Sequence, residues 1–197
     1  KSEITIALAE DKRLVELGKE SVKNGFSVGD IYLGRVRKIM PGLNAAFVNI
    51  GHEKDAFIHY LDLGPQFGSL QKLMGQLTGA KKKNVQFDTF KLEQPIGKTG
   101  KISNLLTTGQ PIVVQIAKEA ISTKGPRLTS DISLAGRNVV LIPFSNKISI
   151  SQKIRSAEER KRLKKIALSI LPKNYGVIIR TAAQDKNETD IGQDITS

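Results

Sequence analysis

The chain has 197 residues, enough for one or two domains. Hydrophobic residues make up 39% of it and charged residues 25%, so we expect a packed core and exclude an extended polyelectrolyte. Its 31 lysines and arginines against 19 aspartates and glutamates give a formal net charge of +12, which favours a polyanionic partner such as nucleic acid or an anionic membrane.

The N-terminal half of the sequence predicts a series of short strands. Residues 3–9 alternate polar and apolar side chains, as a half-buried strand does, and a second strand is predicted at Arg13–Leu17. From Gly29 onward, short apolar segments separated by glycine-containing turns predict a small barrel or sandwich. The strands predicted there are Ile31–Ile39, Ala45–Ile50, Asp55–His59 and Ile112–Ala117.

The stretch from residue 62 to residue 106 shows no regular pattern and contains the lysine run Lys81–Lys83. An irregular stretch of this length inside a compact domain is usually functional or disordered. A basic loop that contacts a polyanion and a solvated loop without specific contacts both agree with this sequence.

A second β-rich segment contains one predicted helix. A helix over 157–171 is predicted because Ser156 and Glu159 have the spacing of a capping box and Pro172 ends the pattern. Its apolar face comprises Leu163, Ile166, Ala167, Ile170 and Leu171. Basic residues cover its other faces, as on a solvated helix or on one that contacts RNA. The strands around it are predicted at Arg127–Ser133, Asn138–Pro143, Lys147–Ile150 and Gly176–Thr181.

Two phenylalanines, Phe47 and Phe57, lie on consecutive predicted strands with basic residues near them. Rings on the exposed face of a small barrel stack on unpaired bases, while cations at its rim neutralise phosphates. The neighbouring cations are Arg35, Arg37 and Lys38. The alternative is that both rings fill the core, and periodicity alone leaves the two interpretations open.

Several segments in the same order resemble known RNA-binding proteins. The sequences Ala46-Phe47-Val48, Phe57-Ile58-His59 and Gly109-Gln110 resemble the OB domain of the ribosomal protein S-one type. Longer segments at 29–34, 41–48, 113–119, 123–125, 128–136 and 179–182 resemble the ribonuclease E/G family. This resemblance covers most of residues 1–183 and is weakest between residues 62 and 106.

The resemblance implies an α+β, β-rich fold. In that family a five-stranded OB-fold barrel is inserted into a ribonuclease-H-like α/β domain and is followed by a small 5′-sensor subdomain. On this chain, residues 1–28 become the first strands of the ribonuclease-H-like domain and residues 29–126 the OB domain. The sensor region then covers 127–183, and residues 184–197 are predicted to be a polar tail.

The resemblance also assigns roles to residues. The base-stacking rings fall on Phe47 and Phe57, and the lysine at the end of the barrel falls on Lys124. The pocket for a 5′-monophosphate falls on Gly136, Val140, Arg180 and Thr181, where an arginine fork and a hydroxyl meet the phosphate oxygens. From the residues alone, Arg180 and Thr181 would be an ordinary surface pair. Gln152 stands where many members carry a basic residue, which removes one cation from this region.

The implied function is substrate recognition by an endoribonuclease that acts in RNA decay and ribosomal RNA processing. Its partner is single-stranded RNA, preferably 5′-monophosphorylated, and the full-length enzyme uses Mg²⁺ held by aspartates outside this chain. We therefore expect no catalytic residue and no metal ligand among these residues. The resemblance allows a homo-oligomer of the full-length protein. The alternative is a non-catalytic OB-fold protein that binds single-stranded RNA.

Several classes of protein are disfavoured by features that the sequence lacks. Without cysteine the chain has no disulfide bond and no cysteine-based zinc site, and two histidines make no convincing metal site. No apolar run has the length of a membrane span, and no secretory signal is visible. We expect a cytoplasmic protein with no membrane partner. Because the first residue is lysine rather than methionine, we also expect the chain to be part of a longer protein.

Overall fold

A computed structural model describes residues 3–10, 13–21, 26–78 and 87–196. At the N-terminus β1 (Glu3–Glu10) and β2 (Arg13–Ser21) pair antiparallel into a two-stranded sheet. Both strands lie where they are predicted, and β2 continues past the predicted end at Leu17.

Five strands then form a closed barrel. They are β3 (Ile31–Met40), β4 (Ala45–Asn49), β5 (Ala56–His59), β6 (Pro111–Lys118) and β7 (Arg127–Thr129). Their order is β3-β4-β5-β7-β6, and β6 pairs back onto β3. Neighbouring strands are antiparallel except β5 and β7, which are parallel. The barrel was predicted to end at residue 126, but its fifth strand begins at Arg127.

Alternation along the strands decides which side chains fill the barrel. In β4 and β5, Ala46, Val48, Ala56 and Ile58 are fully buried, because every second side chain points to the same face. The core also contains Val36, Ile112, Val114, Ile116 and Leu128 from the other three strands. Small and β-branched residues predominate because the interior of a five-stranded barrel is narrow.

The connection between β5 and β6 is not the irregular stretch that its sequence suggests. It contains a 3₁₀ turn at Tyr60–Leu63 and the helix α1 (Phe67–Thr78). Buried side chains from this connection that join the barrel core are Tyr60, Leu63, Phe67, Ile102 and Leu106. Phe67 and Leu70 begin a helical spacing of apolar residues that indicates α1 in retrospect. The lysine run Lys81–Lys83 lies outside the described residues.

A four-stranded sheet follows the barrel. Its strands are β8 (Leu134–Ala135), β9 (Val139–Pro143), β10 (Ile148–Ile150) and β11 (Tyr175–Ile179), in the order β10-β11-β9-β8. The parallel strands β10 and β11 are joined through α2 (Ala157–Ile170), which is the crossover that parallel pairing requires. The predicted strands after residue 133 are thereby confirmed with small shifts at their ends.

The start of α2 is capped as predicted, but only in part. The Ser156 hydroxyl accepts a hydrogen bond from the Glu159 N–H at 3.2 Å. The Glu159 carboxylate does not reach back to Ser156 as a capping box requires; it accepts two bonds of 2.7 Å from the guanidinium of Arg162. The side-chain hydrogen bond from Arg162 outweighs the opposing effect of burial and lowers the pKa of Glu159 to about 2. The helix ends at Ile170, because Leu171 precedes Pro172 and is extended.

The stretch after residue 184, predicted to be a polar tail, contains a helix. Residues Glu188–Thr196 form a third helix, α3. Ile191 is fully buried in the core of the second sheet, and Ile195 packs against that core. Two isoleucines four residues apart are too few to reveal a helix from sequence, and the tertiary contact supplies the rest of its stability.

Asn174 joins the connection before β6 to the second sheet. Its side-chain amide donates hydrogen bonds to the carbonyl oxygens of Phe87 at 2.7 Å and Phe90 at 2.8 Å. The rings of Phe87 and Tyr175 lie 4.9 Å apart. Asn174 has φ +65°, a left-handed conformation that asparagine tolerates better than most residues.

We expect Asn174→Gly to destabilise the protein by about 1–3 kcal/mol, because glycine adopts the same φ but cannot donate to the two carbonyls. The free energy of unfolding in urea measures this. Ser122→Gly is the matched control, since Ser122 is exposed and also has a positive φ of 51°. Equal losses in the two variants would show that backbone entropy, not the amide, is responsible.

Candidate nucleic-acid interface

The two phenylalanines lie side by side on the outside of the barrel. Phe47 on β4 is the Cα partner of Phe57 on β5, and the ring centroids are 5.9 Å apart in an edge-to-face arrangement. Both rings are half-buried, and neither belongs to the barrel core. The alternative that they fill the core is therefore not what the structure shows.

Strand register extends this pair into a row of four residues. Lys38 on β3 is the partner of Phe47, and Arg127 on β7 is the partner of Phe57. The row thus places two aromatic rings between two exposed cations, with order Lys38, Phe47, Phe57, Arg127. We call these four residues the aromatic row. Arg127 is not among the predicted site residues, because its segment was assigned to the region after the barrel.

A bulge in β3 brings further cations to the same strand surface. The register between β3 and β4 shifts between Val36 and Lys38, so Arg37 is the extra residue. As a result Arg35, Arg37 and Lys38 are all exposed, although strict alternation would turn one of the last two inward. Arg35 donates to the carbonyl of Gly109 at 2.8 Å, and Arg37 lies 3.9 Å from Asp55.

Lys124 is exposed on a turn that packs against the start of β5. The backbones of Ile121 and Lys124 bond to each other in both directions. A Cβ on Gly125 would lie only 2.2 Å from the carbonyl oxygen of Asp55, so glycine is required for this close approach. The Phe57 N–H donates to Pro126 O at 2.8 Å. These contacts hold the Lys124 turn beside the strand that carries Phe57.

Asp62 restrains the cation at the far end of the aromatic row. Its carboxylate accepts two bonds of 3.0 Å from the Arg127 guanidinium. This side-chain hydrogen bond, with the charge of Asp62, raises the pKa of Arg127. Arg127 is thus oriented and partly neutralised, so Lys38, Arg35 and Lys124 are better placed to neutralise a phosphate backbone.

The four residues of the predicted phosphate pocket also come together, at the edge of the second sheet. Arg180 donates from its side chain to Gly136 O at 2.6 Å and from its backbone to Asn138 O at 2.8 Å. Val140 on β9 pairs with Ala135 on one side and Ile178 on the other. Thr181 follows Arg180, begins a 3₁₀ turn and is exposed.

A carboxylate from α3 also reaches this pocket. Asp194 accepts hydrogen bonds from the backbone N–H groups of Arg137, Asn138 and Val139 at 3.0, 2.6 and 3.0 Å. No sequence spacing links residue 194 to residues 137–139, so this contact could not be found before the structure.

The surface around Gln152 forms a separate basic groove of about 610 Å³. Arg160 and Lys161 of α2 line it together with Gln152 and Ser149. Arg160 donates to the carbonyls of Ser151 and Ile154, so it has a structural role. Lys161 and Lys164 are exposed, and both interpretations of the basic face of α2 remain open.

Carboxylates and histidines in the described ranges do not gather into a metal site, since no three of them come close enough to hold an ion. Asp131 belongs to no such cluster, and burial raises the pKa of its carboxyl group.

Among the described residues, no helix combines the length and the apolar character needed to cross a membrane.

Comparison with known proteins relates these features to a family. A model of the Ribonuclease E/G family matches residues 133–197, which include all four residues of the predicted phosphate pocket. Ribonuclease G of Haemophilus influenzae is 39% identical over 193 residues, 98% of this chain and 35% of that protein. Ribonuclease G of Escherichia coli K12 is 36% identical over the same share of this chain, and ribonuclease E of a Nostoc species is 40% identical over 85% of it.

Over nearly its whole length the chain is similar to proteins of the ribonuclease E/G family. It spans between about a fifth and about a third of the length of these relatives, 21% for the Nostoc protein and 36% for the E. coli protein. The family resemblance of the sequence is thereby confirmed, and it extends over the aromatic row as well as the pocket.

Because the two rings lie outside the core, removing one of them should destabilise the protein less than removing a core side chain. We expect Phe57→Ala to cost about 1 kcal/mol, mostly the edge-to-face contact with Phe47. Ile58→Ala should cost about 2–5 kcal/mol, because Ile58 is fully buried in the barrel core. Urea unfolding of both variants measures the difference. If Phe57→Ala is as destabilising as Ile58→Ala, the ring is part of the core.

Proposed function

We propose that this chain is the substrate-recognition part of a metal-dependent endoribonuclease. It binds single-stranded RNA and senses a 5′-monophosphate, and the whole enzyme acts in RNA decay and ribosomal RNA processing in the cytoplasm. The observation that carries the proposal is the aromatic row, two half-exposed rings flanked by cations on a closed barrel. Similarity to the ribonuclease E/G family supports it.

We infer that the barrel is an OB fold. Counted along the chain, its strands are ordered 1-2-3-5-4, with the third and fifth parallel and the first paired with the fourth. OB folds are five-stranded Greek-key barrels that bind oligonucleotides on one face and in adjacent loops. The second and third strands carry Phe47 and Phe57, so the rings lie on that face.

The proposal includes insertion of the barrel into a ribonuclease-H-like domain. An inserted domain needs its first and last residues close together. The buried side chain of Gln115 donates to Gly29 O at 2.9 Å, just before the first barrel strand, and to Ser133 O at 2.8 Å, just after the last. Its Oε1 also accepts from the Ser133 N–H. One side chain thus holds both ends of the barrel together, as insertion requires.

Stacking suits a binder that tolerates many sequences, because every base has a π-face. A half-exposed ring offers such a face, whereas a base in a duplex is already stacked on its neighbours. Lys38 lies beside Phe47 in the row, and Arg35 and Lys124 are further exposed cations of the barrel region; such cations neutralise phosphates without reading bases. The chain is therefore suited to unpaired RNA.

The pocket at the edge of the second sheet suits a 5′-monophosphate. Arg180 uses one guanidinium nitrogen to bind Gly136 O, which leaves further N–H donors of the fork for phosphate oxygens. The exposed hydroxyl of Thr181 supplies another donor. A monophosphate is a compact dianion that both groups can reach together, whereas a 5′-hydroxyl provides no charge to bind.

Catalysis in this proposal depends on parts of the relatives beyond the matched length. There two aspartates hold Mg²⁺, which activates water and stabilises charge on the scissile phosphate. The full-length enzyme is also where a homo-oligomer would form. A non-catalytic RNA-binding protein is the second candidate, because the aromatic row and its cations suit RNA binding without any catalytic group. A plain binding module has no use for a 5′-end pocket, so end-dependence separates the two.

We expect Phe47→Ala and Phe57→Ala each to weaken binding of an unpaired RNA by about 1–3 kcal/mol, the usual contribution of one base–aromatic stack. Fluorescence anisotropy with a labelled oligonucleotide measures the affinity. Leu33→Ala is the control, since Leu33 is an exposed apolar residue on a barrel strand and lies outside the row. Unchanged affinity in both phenylalanine variants, or an equal loss in the control, contradicts the stacking role.

We expect the wild-type chain to prefer 5′-monophosphorylated over 5′-hydroxyl RNA by about 1–3 kcal/mol, as for a charged hydrogen bond. Arg180→Ala should abolish this preference and leave the affinity for circular RNA of the same sequence nearly unchanged. Competition binding with the three RNAs measures both. If the wild type binds all three equally, the pocket does not sense the 5′ end and the plain binding module is the better account.

A further inference from the structure

The turn at residues 136–139 forms hydrogen bonds with two groups of opposite charge, the Asp194 carboxylate and Arg180. Its N–H groups at Arg137, Asn138 and Val139 donate to the Asp194 carboxylate. Its carbonyls at Gly136 and Asn138 accept from the side chain and the backbone of Arg180. The Gly136 N–H and the Val139 carbonyl close the turn itself at 2.9 Å. Asp194 and Arg180 are thus joined through one short piece of backbone.

The carboxylate of Asp194 is held in this position as an anion. Partial burial opposes its ionisation, but the hydrogen bonds from Asn138, Val139 and Arg137 and the charge of Arg180 outweigh that effect, and the pKa of Asp194 is lowered. Three backbone donors on one carboxylate are charge-assisted bonds, which are shorter and stronger than bonds between neutral groups. The turn therefore has one favoured geometry while Asp194 is present.

Gly136 leaves room for this contact. A Cβ at residue 136 would lie 2.5 Å from Asp194 Oδ2 and 2.7 Å from its Cγ. Any side chain there would push the carboxylate away from the three N–H groups. Glycine at this position is thus explained by the approach of Asp194, without any ligand.

We propose that Asp194 is a positioning residue for the 5′-phosphate pocket. By fixing the turn, it keeps Gly136 O where it binds one nitrogen of Arg180, so that the rest of the fork faces the ligand. The inference rests on the proposed function, because it assigns a role within the same pocket. It makes α3 part of the pocket, although α3 contributes no group that touches the phosphate.

An alternative role for the three N–H groups, direct binding of an RNA phosphate, predicts the opposite effect of removing Asp194. Three converging N–H groups are a suitable site for an anion, so an RNA phosphate could compete with Asp194 for them. In that case removing the carboxylate would strengthen the preference for 5′-monophosphate. Positioning predicts that the preference falls.

The test compares Asp194→Asn with Asp190→Asn in the 197-residue chain. Both substitutions remove one negative charge from α3, but the Asp190 side chain makes none of the bonds to the turn. The readout is the affinity ratio between 5′-monophosphorylated and 5′-hydroxyl oligonucleotides of one unpaired sequence. We expect Asp194→Asn to lower the ratio about tenfold, the change expected when one charged hydrogen bond is lost. Asp190→Asn and binding of circular RNA should not change.

A second comparison separates positioning from a general effect on folding. In an Arg180→Lys background, which keeps a charge for the phosphate but not the fork of N–H donors, Asp194→Asn should cause no further loss of the ratio, because Asp194 acts through that fork. Additive losses, an unchanged ratio in Asp194→Asn or a raised ratio each overturn the proposal. If the wild type shows no preference for either 5′ end, that result contradicts the proposed 5′-sensing itself, and it is distinguishable from a failure of the Asp194 proposal.

Asp194→Glu covers the case in which Asp194→Asn does not fold. Glutamate keeps the charge, but the contact with Gly136 leaves no space for an extra methylene, so the turn must shift. We expect the variant to fold, as judged by thermal unfolding, and to show a reduced ratio. A folded Asp194→Glu protein with the wild-type ratio overturns the proposal.

Discussion

The hydrogen bonds that fix β7 beside β5 are the constraint on which the rest of this structure depends. A parallel pair cannot be joined by a tight turn, so β7 reaches β5 only after a long connection and the strand β6. Asp62, just after β5, fixes the arrival of β7. Its carbonyl accepts from Ser130 N–H and Thr129 Oγ1, both at 2.8 Å, and its carboxylate binds Arg127. Without Asp62, β7, the shortest strand of the barrel, would have few hydrogen bonds to hold its register.

Closure of the barrel determines which surface the rings occupy. Once Ala46, Val48, Ala56 and Ile58 fill the interior, the residues between them must lie outside, whatever their hydrophobicity. The burial of small and branched side chains thus leaves two aromatic rings half-exposed. A large apolar group left at the surface of a folded protein is evidence for a partner. Here the surrounding charge is positive, which is the sign expected for contact with RNA.

The second sheet is attached to the barrel at two levels. Gln115 bonds to Ser133 where the chain leaves the barrel, and Asn174 bonds to the connection that precedes β6. The rings of Phe87, Phe90 and Phe144 pack together at the second contact. These contacts attach the sheet that carries Arg180 to the barrel that carries the aromatic row. In the proposed function, a 5′ end bound at Arg180 adds to binding on the barrel as a second, linked contact.

The sequence by itself determined most strands, the helix α2 and the partner class, and it supplied the candidate site residues. Short-range periodicity and caps decide strands and helices, and the family resemblance carried Phe47, Phe57 and Arg180 onto this chain. Only the tertiary structure decided that the rings lie outside the core, that Arg127 ends the aromatic row and that Asp194 grips the turn beside Arg180. It also replaced an irregular stretch by α1 and a polar tail by α3. Each of these depends on a contact between residues far apart in the chain, and local pattern carries no information about such pairs.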